Sequence, residues 1–131
     1  MVAPEEGPGP SPGPDPEVVA LAQRMLDLAR EGDAAGLLAY VDAGVPVDLT
    51  DARGNTLLML GAYHGHPEVV RGLGERGADV DRLNDRGQSP LAGAVFKGED
   101  AVVTVLRELG ADLDAGHPTA RATAAMFGYD L

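Results

Sequence analysis

The stretch from 51 to 83, DARGNTLLMLGAYHGHPEVVRGLGERGADVDRL, is followed directly by 84–116, NDRGQSPLAGAVFKGEDAVVTVLRELGADLDAG. Aligned without gaps, these two 33-residue segments are identical at 12 positions, whereas ordinary residue frequencies would supply only about two. Tyr63 and Phe96 are a similar pair at one further position. A period of this length indicates a repeat protein in which each unit stacks on its neighbours.

Each of the two units has the pattern of a helix pair. Thr56 and Ser89 are typical residues for the start of a helix, and Gly65 and Gly98 supply the positive φ that ends it. A second helix carries two valines and a leucine on its inner face and ends at a later glycine. Such a pair is too thin to bury its own apolar face, so stability has to come from stacking. We predict an all-α solenoid of antiparallel helix pairs with projecting turns.

Outside these units the chain is organised around the same pattern. Residues 17–131 are predicted to form the repeat domain, with 17–50 as a divergent first repeat and 117–131 as a partial last one. Asp15 is a candidate cap for the first helix, and Asp33 is a candidate cap for a second helix ending near Ala43. Thr119 opens the helix predicted in the partial repeat.

Residues 1–16 differ sharply in composition, because six prolines alternate there mostly with glycine. Proline removes backbone donors and glycine has no side chain to bury, so we predict a disordered tail. The alternative is an extended ligand for a proline-binding groove. The interleaved glycines and the absence of basic flanking residues favour the tail.

Short motifs within the units resemble those of one family. Thr56-Leu57-Leu58-Met59 and Ser89-Pro90-Leu91-Ala92 are similar to the Thr-Pro-Leu-His motif of ankyrin repeats. Gly65-His66, Gly77-Ala78-Asp79 and Gly110-Ala111-Asp112 match other landmarks of that family in order and spacing. The chain therefore resembles the small free-standing ankyrin-repeat proteins of bacteria. This resemblance implies an ankyrin-repeat solenoid and a non-catalytic role in protein–protein interaction.

One departure from the family pattern carries an expectation about stability. The double leucine of the family's second helix is Leu73-Gly74 here. A glycine in a helix interior costs about 0.5–1 kcal/mol relative to alanine. We therefore expect Gly74→Leu to restore the leucine pair and to stabilise this repeat.

The charge of the chain limits its partners. Ten Lys and Arg against 21 Asp and Glu give a net charge of −11, which disfavours nucleic acids and anionic membranes. There are no cysteines, and no apolar run approaches the roughly 20 residues that span a bilayer. The first residues lack the pattern of a secretory signal. We expect a cytoplasmic monomer that uses no cofactor and binds a protein, or alternatively an inhibitor or antitoxin-like protein that blocks a basic surface.

Residues that could carry catalysis or bind a metal have simpler interpretations. His64 and His66 stand at a turn and lack a third ligand, so a metal site is disfavoured. Repeated aspartates follow each second helix and are interpreted as turn residues rather than acid–base pairs or calcium ligands; they are Asp79, Asp81, Asp112 and Asp114. Neither a Ser-His-Asp arrangement nor a phosphate-binding glycine loop is present. The chain is predicted not to be an enzyme, and a small-molecule or metal-dependent enzyme is the weaker alternative.

Tyr63 and Phe96 define the predicted partner-binding surface. The resemblance places this repeat position on the concave face, where exposed aromatic residues anchor partners. The alternative is that both rings pack between repeats. Arg53 and Arg86 are likewise either partner contacts or structural residues that bond the carbonyls of a neighbouring turn. The whole candidate surface comprises Arg53, Asn55, Tyr63, His64, Asp85, Arg86, Gln88, Phe96 and Lys97, with Ala52 beside them.

Overall fold

A computed structural model of the protein describes residues 15–131. Within this range the chain forms helices and no strand, apart from one isolated antiparallel bridge between Thr50 and Thr56. The helices are α1 (Pro16–Glu31), α2 (Ala34–Asp42), α3 (Leu57–Tyr63), α4 (Pro67–Glu75), α5 (Pro90–Lys97), α6 (Asp100–Glu108) and α7 (Ala120–Phe127). The predicted all-α class is confirmed.

The predicted tail, residues 1–16, lies outside the described residues except at its end. Asp15 is the N-cap of α1, and its side chain accepts the N–H of Glu17 at 2.8 Å. Pro16 is the first residue of the helix rather than the last residue of the tail. Its fixed φ and missing donor suit that first turn.

Side-chain caps begin the helices that the sequence indicated. Asp33, Thr56, Ser89 and Thr119 each accept a backbone N–H three residues along, at 2.9–3.1 Å. These bonds satisfy donors that the first helical turn leaves free. Helix starts therefore follow from local sequence in α2, α3, α5 and α7.

The helices form two rows that pack against each other. One row contains α1, α3, α5 and α7, and the other contains α2, α4 and α6, so α7 has no following partner in the described chain. The core lies between and within the rows and consists mainly of Leu, Val and Ala, with Met25 and Met59 as its largest unbranched side chains. Small side chains allow the close approach that stacking requires.

Equivalent positions within the period tie each repeat to the next. The His66 Nε2 lies 2.7 Å from the carbonyl oxygen of Arg30, and its ring packs beside Gly32. Glu99, one period later, occupies the equivalent place beside Gly65. His66 is thus used in stacking, in agreement with its interpretation as a turn residue.

The repeated aspartates form a ladder along the stack. The Asp79 N–H donates to Asp48 Oδ1 at 3.1 Å, and the Asp112 N–H donates to Asp81 Oδ1 at 2.8 Å. Asp79 also accepts the N–H of Asp81 at 3.0 Å within its own turn. These carboxylates hold turns together, both within a repeat and between repeats, as the turn interpretation predicts.

The space at Gly74 bears on the sequence-based expectation. A Cβ placed on Gly74 would lie 2.6 Å from Leu109 Cδ1 and 2.9 Å from Leu109 Cδ2. Leucine at position 74 therefore requires the side chain of Leu109 to move, and the gain in stability expected of Gly74→Leu stays a prediction. The family's second leucine is replaced here by a leucine from the next repeat.

Candidate functional site

A groove with a volume of about 580 Å³ runs along one side of the stack. Its walls come from the turn tips at 52–55 and 84–88, and its floor comes from helices α3, α5 and α7. The large apolar side chains that line it are Met59, Leu60, Tyr63, Phe96, Met126 and Phe127. Several repeats therefore contribute to one continuous concave surface.

Three of these side chains occupy the same position in successive repeats. Tyr63, Phe96 and Met126 each stand seven residues after the N-cap of their helix. Their exposed fractions are 39%, 60% and 69%. The row faces solvent because the opposite face of each helix is buried in the stack, so much of the row's apolar surface lies outside the core.

The aromatic rings also contact the neighbouring repeat. Lys97 Nζ lies 4.7 Å from the centroid of the Tyr63 ring, a cation–π distance. The rings of Phe96 and Phe127 meet edge to face with centroids 5.6 Å apart. Lys97 and Phe127 each stand eight residues after an N-cap, so the two contacts are equivalent. Each ring is therefore supported by the next repeat on one side and exposed on the other.

Asp51 organises the first turn tip. Its Oδ1 accepts the N–H groups of Arg53 and Asn55 at 2.8 and 2.9 Å, and its Oδ2 accepts the Asn55 amide at 3.1 Å. Burial acts to raise the pKa of Asp51, but these hydrogen bonds and the charge of Arg30, 3.7 Å away, lower the pKa on balance. The carboxylate is thus held ionised beneath the turn.

Asn84 performs the same task one period later. Its Oδ1 accepts the N–H groups of Arg86 and Gln88, both at 3.0 Å. Its amide donates to Gln88 Oε1 at 2.8 Å and to Asn55 Oδ1 at 2.9 Å, which links the two turns. Asn55 and Gln88 line the groove, but the polar side-chain atoms of Asn55 and the Oε1 of Gln88 already take part in this structural network.

The two predicted arginines present free cations at the rim. Arg53 and Arg86 are exposed, and among residues 15–131 neither guanidinium forms an ion pair or a hydrogen bond. The turns are joined instead by the backbone, since the Asp85 N–H donates to the Arg53 carbonyl at 3.0 Å. The alternative interpretation, in which these arginine side chains bond the carbonyls of a neighbouring turn, therefore has no hydrogen bond to support it.

His64 stands at the edge of the groove beside Tyr63, with ring centroids 5.8 Å apart in an edge-on arrangement. Burial lowers the pKa of His64, and the nearby charges of His66, Lys97 and Arg30 lower it further. The imidazole is thereby kept neutral near physiological pH. Within the described range, no three His, Asp or Glu side chains converge as a metal site would require.

Most of the predicted surface coincides with the groove. Seven of the nine predicted residues line it, and His64 and Lys97 flank it through their contacts with Tyr63. The carboxyl-terminal end of the groove was not predicted from the sequence; it is formed by Pro118, Thr123, Met126 and Phe127. Counting from the N-cap Thr119 rather than by a strict 33-residue period would have identified Met126, because the last turn is shortened.

Comparison with known proteins agrees with this architecture. A family model described as ankyrin repeats in three copies matches residues 25–117. The chain belongs to the ankyrin-repeat family. Ankyrin repeats are generally modules of protein–protein interaction, which is the broad function that family membership supports.

Two individual similarities add detail. The chain is 43% identical over 55 residues to a Pseudomonas aeruginosa protein named as an ankyrin repeat protein, a match covering 42% of this chain and 32% of that one. It also resembles the crystal structure of the human ASB11 ankyrin repeat domain, with a TM-score of 0.64 and 30% identity. That match covers 68% of this chain and 40% of the human one. The chain thus spans well under half of either relative.

None of the helices within residues 15–131 combines the length and the apolar character needed to cross a bilayer.

Proposed function

We propose that this ankyrin-repeat protein is a non-catalytic binding module that holds a segment of a partner protein in the concave groove. The observation that carries the proposal is the row formed by Tyr63, Phe96 and Met126. Large apolar side chains exposed side by side in a preformed concavity are typical anchors for a partner. The contacts of Tyr63 with Lys97 and of Phe96 with Phe127 restrict these two rings before binding, so little conformational entropy is lost when a partner orders them.

The experiment compares the wild type with the double variant Tyr63→Ala, Phe96→Ala in affinity capture from the native cell. Because both rings are substantially exposed, we expect the free energy of unfolding to change by about 1 kcal/mol or less. Loss of two interface anchors should weaken partner binding by about 2 kcal/mol or more.

The matched control is Val18→Ala, Val19→Ala, which removes exposed apolar side chains from α1 outside the groove. Partners retained by this control and lost by the aromatic variant support the groove. Equal capture by all three proteins, or a loss of several kcal/mol of stability in the aromatic variant, contradicts it.

An inhibitory role is the second candidate. The net charge of −11 would speed association with a basic surface by electrostatic steering. Whether a captured partner loses its activity in the complex distinguishes an inhibitor from an adaptor.

A further inference from the structure

The groove has a charge opposite to that of the whole chain. Carboxylates outnumber basic side chains by more than two to one in the sequence. At the groove the balance reverses, because Arg53, Arg86 and Lys97 stand at its wall and rim with Asp85 as the only carboxylate in its lining. A strongly acidic protein therefore presents a locally positive surface at a groove lined by large apolar side chains.

These cations are available to a ligand. In residues 15–131, four other guanidiniums are neutralised by ion pairs, namely those of Arg30, Arg71, Arg76 and Arg121. Asp51, the acid beneath the first turn tip, is used by Arg30 and by the N–H groups of its own turn. Lys97 is held over the face of Tyr63 by a contact that leaves its charge uncompensated. Asp85 remains as one carboxylate beside the three cations Arg53, Arg86 and Lys97, so the net charge at the groove stays positive.

The arrangement also sets a spacing. Arg53 and Arg86 occupy equivalent positions on adjacent turns, and neighbouring packed helices are about 8–10 Å apart. In an extended segment of the polyproline II type, residues three apart share a face and lie about 9 Å from each other. Two carboxylates at that spacing would meet both guanidiniums, and a large apolar side chain beside them would reach Phe96 and Met126.

We infer that the groove takes an acidic, extended segment of a partner protein, with carboxylates about three residues apart flanking a bulky apolar side chain. This inference rests on the proposed function and specifies the chemistry of its partner. Arginine suits the task because its planar guanidinium binds carboxylates through two parallel hydrogen bonds. The apolar floor supplies the burial that surface ion pairs alone lack.

The test uses a display library of random peptides of about a dozen residues, selected on the full chain, followed by fluorescence anisotropy with the enriched peptides. We expect enriched sequences to be acidic with the stated spacing. The triple variant Arg53→Glu, Arg86→Glu, Lys97→Glu should weaken their binding by about tenfold or more, and added salt should weaken wild-type binding as well.

A matched variant, Arg24→Glu, Arg82→Glu, Arg107→Glu, makes the same change in net charge away from the groove. It should alter affinity by less than about threefold, because none of these three side chains lines the groove. An equal effect of both triple variants, or enrichment of neutral or basic peptides, overturns the inference. If the enriched peptides are neutral or basic but bind more weakly to the Tyr63→Ala, Phe96→Ala variant, the groove is still the binding site and the proposed function is supported. Failure to select any groove-dependent peptide overturns both.

Two other occupants are outcomes of the same experiment. Residues 1–14 contain Glu5 and Glu6, and a gain in peptide affinity of about tenfold on deleting them would show that the chain's own tail competes for the groove. Dimerisation that is lost in the groove triple variant would assign the groove to a second copy. Either result overturns the partner assignment. Circular dichroism of each variant establishes that it is folded.

Discussion

Asp51 and Asn84 show how one side chain can organise a turn with or without a charge. Both accept two backbone N–H groups through Oδ1, at residues two and four positions along. Asp51 adds a bond from the Asn55 amide and an ion pair with Arg30. Because Asn84 accepts the same two backbone N–H groups without a charge, the acceptor role of Asp51 does not require its charge, whereas its ion pair with Arg30 does.

We expect Asp51→Ala to lower the free energy of unfolding by about 1–3 kcal/mol, because two N–H groups, one of them partly buried, lose their acceptor. Asp51→Asn keeps that acceptor, as Asn84 does, and should cost less than about 1 kcal/mol. Urea denaturation at neutral pH measures both. Equal losses for the two variants would show that charge, and not the turn acceptor, is what Asp51 contributes.

The same residue predicts a dependence on pH. The folded-state pKa of Asp51 lies below its ordinary value of 3.8, so the carboxylate's contribution is present above that value and disappears as the pH falls through the lowered pKa. The difference in unfolding free energy between the wild type and Asp51→Asn should therefore be constant near neutrality and shrink below about pH 4. A difference that grows on acidification would contradict the assignment.

At the scale of the helix, two interior glycines differ in the space around them. A Cβ on Gly61 in α3 would lie 2.6 Å from Val69 Cγ1 and 3.1 Å from Val69 Cβ. Val69 is fully buried and β-branched, so it has little freedom to move. A Cβ on Gly93 in α5 would meet Tyr63 Cδ1 at 3.7 Å, an ordinary contact.

Gly61→Ala should therefore destabilise the protein by about 1–2 kcal/mol, since overpacking exceeds the gain in helix propensity. Gly93→Ala, its control in the next repeat, should stabilise by up to about 1 kcal/mol from propensity. Thermal and chemical denaturation of the pair measure the contrast. A gain at position 61 would mean that α3 and α4 can separate without cost.

At the scale of the whole stack, α7 is the last layer within residues 15–131 and forms one end of the groove. Its buried residues Ala120, Thr123 and Ala124 pack against α5. The Tyr129 hydroxyl donates to Asp100 at 2.7 Å, and burial together with this acceptor raises the pKa of Tyr129 to about 12. In a repeat array each layer is stabilised by its neighbour, so loss of the last layer exposes the one before it.

Removing residues 119–131 should lower the free energy of unfolding by about 2–5 kcal/mol, comparable to losing large buried side chains. Tyr129→Phe, which keeps α7 and removes one hydrogen bond, should cost about 0.5–1.5 kcal/mol. Chemical denaturation compares the two proteins with the wild type. Truncation with no greater effect than Tyr129→Phe would show that α5 does not depend on α7.

Much of the architecture could be predicted from the sequence because it rests on local physics. Thr56 and Ser89 cap helices through bonds that span three residues, and the 33-residue period places Tyr63 and Phe96 at one structural position. A repeat position determines a face of the stack, so most of the candidate groove followed from the same period. The last turn is shortened and departs from the 33-residue period. Met126 and Phe127 were therefore not predicted as part of the groove.

Only the tertiary structure determined the side-chain contacts between repeats, because these contacts depend on the offset between stacked layers. Leu109 fills the space beside Gly74, Phe127 supports Phe96, and Asn84 reaches Asn55, although each pair is about one period apart in the chain. Whether Arg53 and Arg86 are bonded or free depends on which acceptors stacking brings within reach. The sequence by itself determined the helices, their caps and the repeat. The stacking geometry determined which side chains form contacts between repeats and which remain exposed to a partner. Those contacts join residues that are distant in sequence, so the local sequence does not reveal them.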